Sequence, residues 1–172
     1  MSQGRWESYT LPEPPAKAAI QALHNLPDVA LIEMGDFVGG MLKYLRVHPL
    51  PRVTVAGGVA KMTKLAQGRL DLHSKRGEVD LTALAELART QGATDIVVDR
   101  VARSNTVAEA FDAATGVGLG DAIAIGAWEV AARALVPAEI QLETAVFDRS
   151  GDLVGRAPFV AVHDRPPDRK RR

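Results

Sequence analysis

Cysteine is absent from the 172 residues. That excludes disulfides, thiolate nucleophiles, iron–sulfur clusters and zinc sites built on cysteine, and it is compatible with the cytosol. Net charge is absent too, since 21 Lys and Arg balance 21 Asp and Glu. The balance is uneven. HDRPPDRKRR at the end holds five Lys/Arg and two Asp, which leaves 16 cations against 19 anions, about −3, over residues 1–162. A nucleic-acid binder would carry a basic face across the domain, so nucleic acid is not an expected partner. The tail, residues 163–172, reads as a basic disordered end. No apolar run reaches the roughly 18 residues a membrane span needs, and MSQGRWESYT lacks an apolar signal core. The expectation is a cytoplasmic chain with no membrane partner.

Several chemical signatures are missing as well. There is no His-Glu-x-x-His and no Gly-x-Ser-x-Gly elbow, so neither metal-assisted hydrolysis nor a serine triad is supported. GDFVGG at 35–40 lacks the spacing of a dinucleotide fingerprint, and GGVAKMT at 57–63 lacks that of a Walker A loop. GVGLG at 116–120 follows a helical pattern and not a strand. No metal site and no catalytic residue is assigned.

What is present is an alternation of buried strands and helices. Residues 1–15, ending LPEPP, read as an extended lead-in, because clustered prolines disfavour helix. KAAIQALHNL has helical spacing; DVALIEM is a near-continuous apolar run, the look of a strand covered on both faces. A glycine turn leads to a helix over 37–47, stopped by Pro49. RVTVAGG is a second buried strand, followed by the helix VAKMTKLAQG with Gly68 as its C-cap. Asp80 caps LTALAELARTQG, and Ser104 or Asn105 caps VAEAFDAATG. Asp121 caps the apolar helix DAIAIGAWEVAARAL, in which Trp128, like Phe111 before it, is expected in the core or an interface. Two strand patterns flank Arg149-Ser150-Gly151-Asp152, a hairpin signal. The pattern predicts an α/β layered sandwich with a mostly parallel sheet and a C-terminal antiparallel hairpin at one edge, as a single domain over 16–162.

Two strand-to-helix turns carry glycines, Gly35 to Gly40 and Gly57-Gly58. Ligands of open α/β sheets sit outside the carboxyl ends of the strands, where both turns fall. Glycine lets backbone N–H groups lie against a ligand, although tight turns need glycine for their own geometry. Asp36 can accept from ribose hydroxyls, offset a cation, or cap the following helix. Lys61 and Lys64, at i and i+3, share one side of their helix. With Arg69, Lys75 and Arg76 they form either a solvated face or a docking zone for a multiply carboxylated ligand. A small phosphate-ligand enzyme using the Gly57–Lys61 turn is a further option.

The segments IEMGDFVGGMLKYLR, VTVAGGVAKMTKLAQGRLDLHSKRGEVD, SNTVAEAF and AVFDRSGDLVG, in this order, resemble the CbiD family of cobalt-precorrin-5B C1-methyltransferases. In the block from Lys61 to Ser74 the family writes Gly-Lys where this chain has Ala60-Lys61, while Lys64, Gly68, His73 and Ser74 stand where the family has them. The resemblance spans about residues 20–160 and covers the C-terminal half of a family member. It implies a detached C-terminal domain: a truncated piece, a split gene product or a remnant. It also implies SAM-dependent methylation at C1 of a cobalt-precorrin in anaerobic cobalamin biosynthesis. The donor is then S-adenosyl-L-methionine, and cobalt enters only as part of the substrate. On that reading Lys61, Lys64, His73 and Ser74 bind the polyanionic substrate, and Gly35, Asp36, Gly39, Gly57 and Gly58 bind the donor. The alternative is a non-catalytic corrinoid-binding or assembly domain that needs a separate N-terminal half as partner.

Overall fold

RVTVAGG contains no side chain larger than valine after Arg52, and as β3 (Arg52–Gly58) it is buried from Val53 to Gly58. Such a strand must be covered on both faces, which places it inside a sheet. The computed structural model describes residues 7–10, 14–73 and 78–166. Its other strands are β1 (Glu7–Thr10), β2 (Leu31–Glu33), β4 (Gln141–Phe147) and β5 (Leu153–Ala161). Hydrogen-bonded neighbours run in the order β2-β1-β3-β4-β5. The pairs β2/β1, β1/β3 and β3/β4 are parallel, and β4/β5 is antiparallel. The carboxyl ends of β1 to β4 therefore share one edge of the sheet. The α/β class expected from the sequence holds.

Side chains alternate across β3 and β4. Val53, Val55, Leu142 and Val146 enter the larger core, with Leu42 and Leu45 of α2 (Val38–Val47), Met62 and Leu65 of α3 (Val59–Ala66), and Ile123 and Leu135 of α7 (Leu119–Leu135). Each such large side chain contributes about 1.5–3 kcal/mol by leaving water. Ala56, Ala145 and Phe147 face the other way, under Ala16 and Ile20 of α1 (Pro14–His24). The helices α4 (Leu81–Thr90), α5 (Asp95–Ala102) and α6 (Val107–Ala113) complete the larger core. The N-terminus of α7 lies backbone to backbone on β5. A Cβ on Gly120 would sit 1.9 Å from the Val154 carbonyl oxygen, so no larger residue fits there. Trp128 is core, its indole Nε1–H donating to the Leu142 carbonyl at 2.8 Å. No helix among the described residues is long and apolar enough to cross a membrane.

Four local expectations are corrected. DVALIEM yields only a 3-10 turn at Asp28–Ala30 and the short β2, whose Ile32 and Glu33 are exposed, because β2 is an edge strand. Within the extended lead-in, Glu7–Thr10 pairs between β2 and β3 as a central strand. The cap of α6 is Thr106, whose hydroxyl accepts from the Glu109 amide at 3.1 Å, while the Glu109 carboxylate accepts from the Asn105 amide. α7 starts at Leu119 after Gly118; Asp121 sits in its first turn and accepts from the Arg156 amide at 2.9 Å. Asp80 does cap α4, through the Ala83 amide. Gly68 follows α3 with φ of 85°, its amide donating to the Leu65 carbonyl. The hairpin turn is held by Asp148, which accepts from the amides of Ser150 and Asp152. Of the tail, residues 167–172 lie outside the described residues.

Candidate functional site at the carboxyl edge of the sheet

Gly57 and Gly58 belong to β3, in register with Val146 and Phe147, and not to a turn. Gly58 is the N-cap of α3 with φ of −70° and ψ of 159°, so the strand passes into the helix with no loop between. Gly35 occupies a left-handed conformation, φ 61°, in the turn after β2. Gly39 lies in the first turn of α2, where its amide donates to the Leu70 carbonyl at 2.9 Å. A Cβ on Gly39 would sit 2.8 Å from the Leu70 Cβ, so this glycine admits the segment that follows α3.

That segment ties the predicted residues together. The Leu72 amide donates to the Asp36 carbonyl at 3.0 Å, and Lys64 Nζ donates to the Leu72 carbonyl at 3.2 Å. Lys61 Nζ lies 3.3 Å from Asp36 Oδ1, with the two side chains 20% and 36% exposed. The capping role considered for Asp36 is corrected: α2 begins at Val38 after Phe37, with no side-chain cap. Asp36 instead offsets Lys61. His73 is exposed, and its amide donates to Asp71 Oδ1 at 3.2 Å. Ser74, with Lys75 and Arg76, lies outside the described residues. Asp36, Lys61, Lys64, Gly39 and the approach to His73 thus converge on one side of α3.

Beside the first turn of α3 is a cavity of about 340 Å³, between that turn, α6 and the β4–β5 hairpin. None of the residues assigned a ligand from the sequence lines it, although Val59 and Ala60 directly follow Gly58.

The sequence reading also missed a buried charge network on the α1 face. Glu143 is fully buried in β4. Its Oε1 accepts from Arg156 Nε at 2.6 Å and pairs with Nη2 at 2.5 Å; its Oε2 meets Thr54 Oγ1 at 2.8 Å and His24 Nε2 at 2.6 Å. A carboxylate so removed from water persists only with such donors. The one sequence signal was a glutamate inside the strand pattern LETAVF, where the only other polar residue is Thr144. Among the described residues no group of three His, Asp or Glu could hold a metal ion.

Four parallel strand ends on one edge, with two helices starting there, define an open α/β domain, a class whose ligand sites commonly lie at that edge. The chain belongs to the CbiD family: residues 71–158, just over half of it, match "CbiD, C-terminal domain". It is 58% identical over 144 residues to the cobalt-precorrin-5B C(1)-methyltransferase of Halorhodospira halophila, covering 83% of this chain and 39% of that protein. With the same-named protein of Agrobacterium fabrum it shares 53% identity over 163 residues, 91% of this chain and 43% of the relative. A third, from Methylorubrum extorquens, is 54% identical over 141 residues. The chain thus spans about two fifths of the length of the curated relatives it matches. No solved structure matches it.

Proposed function

We propose that this chain is the C-terminal domain, a layered α/β sandwich, of an enzyme that methylates C1 of a cobalt-precorrin in anaerobic cobalamin biosynthesis. S-adenosyl-L-methionine is the methyl donor, and the setting is the cytoplasm. The observation that carries the reading is the similarity to relatives named for that reaction. The site chemistry agrees with it. Methyl transfer to a ring carbon needs two reactants held in line more than a protein nucleophile, and the chain has no cysteine. In this reading Lys61, Lys64, His73 and Ser74 bind the carboxylates of the acceptor. Gly35, Asp36, Gly39, Gly57 and Gly58 shape the edge on which the donor sits, and Asp36 offsets its sulfonium.

A second reading, a corrinoid-binding or assembly domain that acts only beside a separate N-terminal half, is favoured by one fact. Some three fifths of each relative's length has no counterpart in the match. Complementation tests both. In a strain lacking the C1-methyltransferase, the chain co-expressed with the N-terminal portion of the Halorhodospira halophila relative should restore cobalamin synthesis. Failure of that pair, where the full-length relative succeeds, would contradict the methyltransferase reading.

A further inference from the structure

The 340 Å³ cavity at the carboxyl edge has a chemistry unlike that of the lysine side. Its walls come from three places: Ala60 in the first turn of α3, Phe111 and Asp112 of α6, and Asp148, Arg149 and Ser150 of the hairpin. A pocket of this size, near the lower end of the roughly 300–1,000 Å³ of small-ligand sites, suits a nucleoside-sized group and excludes a macrocycle.

We infer that this cavity takes the nucleoside portion of a ligand that carries a cationic tail. The inference rests on the methyltransferase reading, in which it assigns the adenosine of the donor to a position separate from the lysines.

Phe111 is half-buried and packs against the core, so it offers a ring backed by a fixed wall. A planar base stacks on such a ring with about 1–3 kcal/mol. The Asp112 carboxylate makes no hydrogen bond or ion pair among the described residues; the Thr115 hydroxyl and amide donate to its backbone carbonyl and not to its side chain. Asp148 uses Oδ1 for the two turn amides, which leaves its other oxygen for a hydroxyl. Carboxylates with spare acceptor sites are what a ribose diol requires, since it has donors to place.

Charge selects between ligand classes. The lining holds two carboxylates, Asp112 and Asp148, against one guanidinium, Arg149. The α3 N-terminus contributes roughly half a positive charge, less than the formal −1 of the lining. The balance disfavours a polyphosphate or a polycarboxylated ring and favours a cation. The acceptor's carboxylates match Lys61 and Lys64 instead, neither of which lines the cavity.

Calorimetric titration of the chain with S-adenosylmethionine, adenosine and ATP tests this. Adenosine and S-adenosylmethionine should compete for one site, and ATP should bind at least about tenfold more weakly, a difference of 1.4 kcal/mol. Ala60 is exposed, so A60W should fill the cavity without unfolding the chain and weaken both ligands at least about tenfold. D112N keeps the shape and should weaken adenosine about fivefold, one hydrogen bond's worth. Absence of binding by either adenosine compound would overturn the proposal, as would tighter binding of ATP or full binding to A60W. If methyl transfer still proceeds with the N-terminal portion added, that failure would count against the cavity alone and not against the methyltransferase reading.

Discussion

Glu143 and Asp36 are both carboxylates beside cations on one sheet, in opposite circumstances. Glu143 is fully buried, mid-strand, with four donor contacts from α1, β3 and β5. Asp36 is in a turn at the carboxyl edge, 36% exposed, with an ion pair at 3.3 Å to Lys61. The first arrangement joins three elements and has no freedom to exchange partners without exposing an uncompensated charge. The second is half in water, where the energy of a pair is small and a ligand can replace it at little cost. Chemistry that must open and close around a ligand belongs at the second place, and the first fastens the sheet beneath it.

The largest expected effect breaks the buried network. Arg156→Ala would leave Glu143 with Thr54 and His24 alone, and should lower stability by about 3 kcal/mol. Urea denaturation measures this. A loss under about 1 kcal/mol would mean that the network is as replaceable as a surface pair.

A middle-sized effect is expected at the edge, in binding and not in folding. Lys61→Ala with Lys64→Ala should change stability by no more than about 1 kcal/mol. The same pair of substitutions should weaken binding of a polycarboxylated cobalt corrinoid, with each shielded contact contributing about 1.5–3 kcal/mol. The salt dependence of binding should flatten as the charges are removed. Unchanged affinity at low salt would return both lysines to a solvated helix face.

The smallest effect concerns α1, which is also fastened to the edge strand by Lys17 and Glu33 at 2.6 Å. The hydrogen bond and charge of Glu33 raise the Lys17 ammonium above its ordinary 10.5. A raised cation stabilises the fold fully below the unfolded value, and that stabilisation is lost as pH rises through the folded one. Hydrogen exchange in α1, taken relative to the intrinsic amide rate at each pH, should therefore be independent of pH near neutrality, where the pair is intact, and increase only in alkali above the lysine range. In Lys17→Met that alkaline increase should be absent; its persistence would assign the change to another group.

The contrast also explains what could be read in advance. VTVAGG and the Asp148–Asp152 turn announce themselves locally, one by an unbroken buried run and the other by turn residues, and both elements form as read. β1 is four residues with a polar majority, ESYT, and becomes a central strand only through its neighbours on both sides. Cap positions slipped by one to three residues at α6 and α7 because several adjacent residues could serve, and packing chose among them. At the site, Lys61 and Lys64 share a face by helical spacing, which sequence shows. Their pairing with Asp36 and the Leu72 carbonyl depends on how the segment after α3 folds back over α2. The Glu143 network joins residues 24, 54, 143 and 156, and the cavity joins α6 to a hairpin more than thirty residues later. No local pattern encodes either.

The central claim is that this domain provides one side of a methyl-transfer site completed by the rest of the family's polypeptide. In-line transfer tolerates little error, since a 1 Å misplacement costs about a hundredfold. The most direct measurement is transfer of a labelled methyl group from S-adenosylmethionine to cobalt-precorrin-5B, with the chain alone and with the N-terminal portion of the Halorhodospira halophila relative supplied in trans. The account predicts a folded chain with little or no transfer by itself and turnover once the second part is added. Full transfer by the chain alone would contradict it and place the whole active site within these residues.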